Sequence, residues 1–138
     1  MKLIFLLLLF ANATFGQVSV VGQWKTVDDA SGEIKAIVEL SEADGAVNGR
    51  IVRIFNQEHP DPICEACDEG DDRYRQKIVG MEIIRGLVRD NDGYGGGHIL
   101  DPENGRVYRC RVWVEDGNLM VRGYWGPLYR TQIWRKSS

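Results

Sequence analysis

Cys64 and Cys67 stand two residues apart in PICEACDEGDD, residues 62–72, the most acidic stretch of the chain. Dithiol exchange, zinc ligation and a structural disulfide all use that spacing. A redox pair needs a lowered thiolate pKa, supplied by a helix N-terminus or nearby cations. Glu65, Asp68, Glu69, Asp71 and Asp72 push the other way. A zinc site would recruit His59 beside the two sulfurs, with only His98 as a distant fourth ligand; a second Cys-x-x-Cys or a paired histidine is absent. Asp68, Asp71 and Asp72 are hard oxygen donors suited to calcium, but their spacing lacks the alternation of a calcium loop.

The choice depends on the compartment, and the N-terminus speaks to that. Lys2 precedes an unbroken apolar run from Leu3 to Phe10, followed by small and polar residues up to Gly16. This is the pattern of a secretory signal peptide over residues 1–16. The run is about half of the roughly 20 residues that a membrane-spanning helix needs. No cysteine follows it for lipid attachment. The expected location is periplasmic or secreted, where nearby thiols oxidise, and a Cys64–Cys67 disulfide becomes the leading reading. Its expected role is to pin a long charged loop at a barrel mouth.

The remaining nucleophiles are poorly placed for catalysis. Cys110 lies on an apolar strand face with Tyr108 and Val112, where a thiol acts as a small hydrophobe. The serines sit at termini and turns, with no Gly-x-Ser-x-Gly elbow. The sequence therefore assigns no catalytic residue, no metal ligand and no cofactor. Cleaving 16 of 138 residues leaves 122 and removes only Lys2, so the formal charge moves from −3 to −4. That length suits one domain, residues 17–138. The charge offers no basic stripe for nucleic acid.

These residues must be positioned by strands. Two-residue alternation, broken by Gly, Asp and Asn turns, predicts strands over 20–27, 34–40, 47–55, 83–89, 94–100, 106–115, 119–125 and 129–136. The acidic Cys-x-x-Cys excursion separates the third from the fourth, and a short helical turn is expected over 76–81. Eight consecutive hairpin strands predict an all-β fold, an antiparallel up-and-down barrel, because closure removes both exposed edges. A two-layer sandwich is the competing arrangement. Eight strands enclose an interior that side chains just fill or that holds one small ligand. Gly95, Gly96 and Gly97 predict a hard bend in the fifth strand.

Gly22-Gln23-Trp24 on the first strand, with Trp134-Arg135 on the last, resembles the lipocalins and their calycin relatives. There a Gly-x-Trp indole crosses the closed end of the barrel beneath an arginine from the last strand. Gly22, Trp24, Trp134 and Arg135 are therefore the expected closure, with Arg130 as a second candidate for the capping cation.

The wider pattern runs GQWKTVDDASGEIKAIVEL, GRIVRI, the Cys-x-x-Cys loop, IVGMEIIRGL, YGGGHILDPENGRVYRCRVWV, LMVRGYWG and RTQIWRK. It resembles the exported bacterial family called domain of unknown function 2147. Gly97, Ile99, Asp101, Pro102, Gly105, Tyr108, Arg122, Gly123, Tyr124 and Trp134 match best. The resemblance implies an exported lipocalin-like barrel and no activity.

The expected function is non-catalytic binding of a small apolar or amphipathic molecule by a monomer without a membrane span. Tyr94, Tyr124, Trp125 and Tyr129 are expected to ring an opening, and the expected ligand-binding residues are Tyr94, His98, Tyr108, Arg122, Tyr124 and Trp125. The alternatives are an enzyme centred on His59, Cys64 and Cys67, or a cell-envelope interaction module.

Overall fold

The alternation is realised as eight strands: β1 (Gly22–Val27), β2 (Ile34–Ala43), β3 (Ala46–Ile54), β4 (Glu82–Asp90), β5 (Gly93–Leu100), β6 (Val107–Glu115), β7 (Asn118–Trp125) and β8 (Leu128–Lys136). The computed structural model describes residues 19–55, 58 and 61–137. The expected leader at 1–16 and His59 lie outside the described residues. Each strand pairs antiparallel with its chain neighbour, and β8 returns to β1 to close a barrel, which disposes of the sandwich. The seam is short. Trp24 lies opposite Lys136 and Lys25 opposite Arg135, and the Ser137 amide donates to the Gln23 carbonyl at 3.0 Å just beyond them.

Tight turns set the register. Asp44-Gly45 and Asp116-Gly117 have positive φ at both residues (52° and 78°; 51° and 78°), a twist that matches right-handed strands. The expected bend in β5 is a register shift against β6 between Tyr94 and Gly97. Gly97 is obligatory there, since a Cβ would lie 2.3 Å from the Arg85 carbonyl oxygen of β4.

Because the chain reverses at every hairpin, the starts of β1, β3, β5 and β7 share one end of the barrel. That end is closed by Val20, Trp24 and Trp134, all buried. From there the interior is filled by Leu40, Val47, Leu87, Val112 and Leu119, each fully buried. The packing continues to the level of Ile84 and Cys110. No helix among the described residues is long and apolar enough to cross a membrane.

The excursion between β3 and β4 has its own order. Ile63 bridges Lys77 antiparallel, the Cys64 amide donates to the Gln76 carbonyl, and the Ile78 amide donates to the Pro62 carbonyl, both at 2.9 Å. The helical turn expected over 76–81 is reduced to one non-helical turn, in which the Met81 amide donates to the Ile78 carbonyl at 3.1 Å and Gly80 has φ 91°, because the preceding backbone groups pair across the loop. The loop docks outside the wall. A Cβ on Gly105, in the β5–β6 turn, would stand 1.8 Å from the Ala66 carbonyl oxygen. Ile83 and Leu100, which face away from the barrel interior by alternation, are buried beside it.

Candidate functional site

Cys64 and Cys67 form a disulfide, and both are buried. With the sulfurs joined, neither is a thiolate for zinc or for attack on a substrate. Three of the acids around them are also engaged. Asp71 takes Arg73 through two oxygens, with Nε at 2.9 Å and Nη2 at 2.8 Å. Those bonds hold its carboxyl well below the usual range. Asp72 takes Arg85 the same way, at 2.9 Å twice, and its carboxyl is lowered too. Asp68 accepts the Gly70 amide at 2.8 Å. Among the described residues no three His, Cys, Asp or Glu side chains are placed to share a metal ion. The loop is a structural unit held to β4 by Arg73, which also donates to the Glu82 carbonyl at 3.0 Å.

Cys110 is buried in the wall, and loss of solvent pushes its thiol up to about 12. A thiol that stays protonated at neutral pH makes a poor nucleophile.

At the closed end Trp24 is 2% exposed and donates its indole N–H to the Val20 carbonyl at 2.8 Å. Trp134 packs there opposite Leu119. The expected cation over the indole is placed differently. Arg135 is exposed and pairs with Lys25, on the face opposite Trp24 and Trp134, because successive side chains alternate. Arg130 sits at the other end and meets Asp29 at 2.5 Å. The backbone of Val20 supplies the polar partner, and the N-terminal segment closes the end. Gly22 opens β1 with φ 135°, a conformation that glycine adopts readily.

The six expected ligand-binding residues divide three ways. Tyr94 is near the start of β5 and lines a cleft of about 670 Å³ with Val20 and Val114, at the closed end. It cannot join a ring with Tyr124, Trp125 and Tyr129. His98, Arg122 and Tyr124 point outward. His98 pairs with Arg109 and Arg109 with Tyr124, and these strand positions are opposite in parity to the buried Cys110, Val112 and Val121. The guanidinium of Arg122 is held between two rings, 4.9 Å from Trp113 and 4.2 Å from Tyr129, and its Nε donates to Thr131 at 2.8 Å.

Tyr108 and Trp125 face the interior side at the open end. Tyr108 is half-buried, next along the inward row to Cys110, which pairs with Gly123. Trp125, at the rim, is 67% exposed, with the Arg106 guanidinium 5.6 Å from its ring. Residues outside the expected ligand-binding set complete this end. Ala36, Ile54 and Ile99 share the inward face of Val38, Ile51 and Ile84 and pack on the core, yet they stay half-buried. The signal for them was available in part, as apolar residues of an inward-facing row lying next to a loop.

The open end therefore presents partly solvated apolar side chains above a filled barrel. It has no nucleophile–base pair among the residues named, and its chemistry is that of contact with an apolar surface.

Protein HP1028 from the human pathogen Helicobacter pylori, described as belonging to the lipocalin family, has a similar structure: TM-score 0.74, 17% identity, 88% of this chain and 84% of that one covered. At that identity the likeness establishes the fold, an eight-stranded lipocalin-like barrel. No curated protein matches the sequence. A family described as an uncharacterized protein conserved in bacteria, DUF2147, matches residues 22–136, which span all eight strands, and the chain belongs to that family.

Proposed function

We propose that this is an exported, monomeric, non-catalytic binding protein that takes a small apolar or amphipathic molecule at the open end of its barrel. The observation that carries the reading is the gradient of burial along the inward face. Side chains are fully buried from Trp134 to Ile84, whereas Ala36, Ile54, Ile99 and Tyr108 above them keep part of their surface in water. Apolar side chains that converge without being covered gain free energy when a guest covers them, at about 25 cal/mol per Å². The filled lower half limits the guest to the upper part, so a short or planar molecule fits better than a long chain threaded to the base.

A naphthylamine fluorophore that brightens in apolar surroundings tests this. It should bind the wild type and be displaced by the natural guest, which native mass spectrometry of gently isolated protein should retain. Ile99→Arg should weaken binding about tenfold or more by placing a charge in the proposed cup. Unchanged affinity in that variant, with the fold intact, would remove the site.

A further inference from the structure

Among the described residues Trp125, Leu128 and Tyr129 are the most exposed large apolar side chains, at 67%, 65% and 61%. All three belong to the tip of the β7–β8 hairpin, joined by Gly126 and Pro127. A single exposed Leu is ordinary; here Trp125 and Leu128 lie opposite each other on the inner side of the turn and Tyr129 on its outer side, so the turn is apolar on both faces.

Three arginines gather around the tip. Arg106 lies over the Trp125 ring, Arg109 is 5.8 Å from the Tyr124 ring, and Arg122 is stacked on Tyr129. Among the described residues none of these three arginines meets a carboxylate; Arg73, Arg85, Arg111 and Arg130 do, while Arg53, Arg75, Arg89 and Arg135, scattered elsewhere on the chain, do not. A protein of net charge −3 thus gathers three uncompensated cations beside its most exposed apolar turn.

We propose that the β7–β8 tip and its arginine collar form a docking site for an anionic phospholipid surface. Each part has a place in the bilayer interface. Trp and Tyr rings favour the headgroup level, Leu128 reaches the acyl boundary, and the arginines face the anionic phosphates. A narrow two-residue tip suits this thin layer better than a protein partner, because a standard interface needs about 800 Å² on each side. Docked in this way, the cup opens toward the bilayer, and an amphipathic guest passes between lipid and protein without crossing water. The docking itself does not depend on the guest reading.

The test uses protein isolated from its own cells, with its N-terminus verified by mass. Sedimentation with vesicles of equal phosphatidylglycerol and phosphatidylethanolamine should retain the wild type about tenfold better than phosphatidylcholine vesicles. Tryptophan emission should shift to the blue. Arg109→Gln and Arg122→Gln should each weaken partition about fivefold at low salt, and Trp125→Ser with Leu128→Ser about tenfold or more. Val88→Ser, an equally apolar but distant exposed site on β4, should change nothing. Circular dichroism confirms that each variant is folded. Failure of the wild type to prefer anionic vesicles, or equal partition by the double variant, overturns the proposal. Fluorophore binding measured without vesicles reads the cup separately, so the two ideas fail independently.

Discussion

The indole N–H of Trp24 is donated to the carbonyl of Val20, 2.8 Å away, and both residues are buried. One residue thus closes the barrel end in two ways, filling it with a ring and anchoring the segment that precedes β1. Trp24→Phe keeps most of the ring and orphans the carbonyl, so it should cost about 1–3 kcal/mol. Trp24→Ala adds the cavity and should cost roughly 3–5 kcal/mol. Urea unfolding of both variants checks the ranking; a Phe variant as stable as the wild type would show that the hydrogen bond contributes nothing.

The disulfide closes a very short loop. Chain-entropy reasoning for so few residues gives about 2 kcal/mol, and the loss should be local. Replacing both Cys64 and Cys67 by Ala should leave the barrel's unfolding cooperative while raising amide exchange in residues 61–81. In the native oxidised protein no thiol should react with an alkylating agent, and Cys110 alone should react after denaturation. Rapid native labelling of Cys110 would contradict its burial.

Acid should loosen the protein, and the sign follows from the carboxylates. The backbone amide of Ser31, then Lys35, lower the pKa of Asp28 to about 2; Arg73 lowers that of Asp71 and Arg85 that of Asp72. A carboxyl whose folded pKa lies below its unfolded value, near 4, stabilises the fold above that value. The contribution is lost as pH falls through the folded pKa. Stability should be level with respect to these groups from about pH 8 to pH 5 and decline below about pH 4. Asp71→Asn should lower stability at neutral pH and flatten the decline. Unfolding midpoints across that range test it, and parallel curves for the variant and the wild type would remove Asp71 from the account.

Gly97→Ala should damage the β4–β5 pairing, because the added carbon meets the Arg85 carbonyl oxygen at 2.3 Å. The two strands must separate or distort, at a cost of about 1–3 kcal/mol, the scale of overpacking in a well-filled interior. Gly117→Ala is the control for turn strain alone, since a Cβ at Gly117 meets nothing within 4 Å but its φ is 78°. Similar losses at both positions would mean that close approach of the strands is not the constraint.

The strands were legible because most have one wet and one dry face, β4 and β5 being covered outside where the loop docks on Ile83 and Leu100, and the period-two pattern of Tyr108, Cys110, Val112 and Val114 survives directly as an inward row. The candidate site was less legible, for two physical reasons. Alternation sorts residues into two faces without saying which one holds the guest, so Arg122 and Tyr124 were expected at the opening although they occupy the outer wall. Aromatic type also outweighed chain direction in placing Tyr94. In an up-and-down barrel the start of β5 shares an end with Trp24, and counting hairpins puts Tyr94 there. Arg135 follows the same rule, since a neighbour of inward Trp134 must face outward. The order within the acidic loop was hidden for a different reason: its carboxylates pair with Arg73 and Arg85, and such pairing leaves no periodic trace.

The lap between β1 and β8 rests on Trp24 with Lys136, Lys25 with Arg135 and the Ser137 amide on Gln23, while β7 and β8 pair over seven positions, from Leu119 with Trp134 to Trp125 with Leu128. A hoop fastened by so brief an overlap has a preferred place to come undone. Its buckle is the amide pairs of β1 and the tail of β8, which should trade deuterium before any other wall. A hoop that springs there bares two raw strand margins at once, and a neighbouring molecule in the same condition could fasten onto either of them.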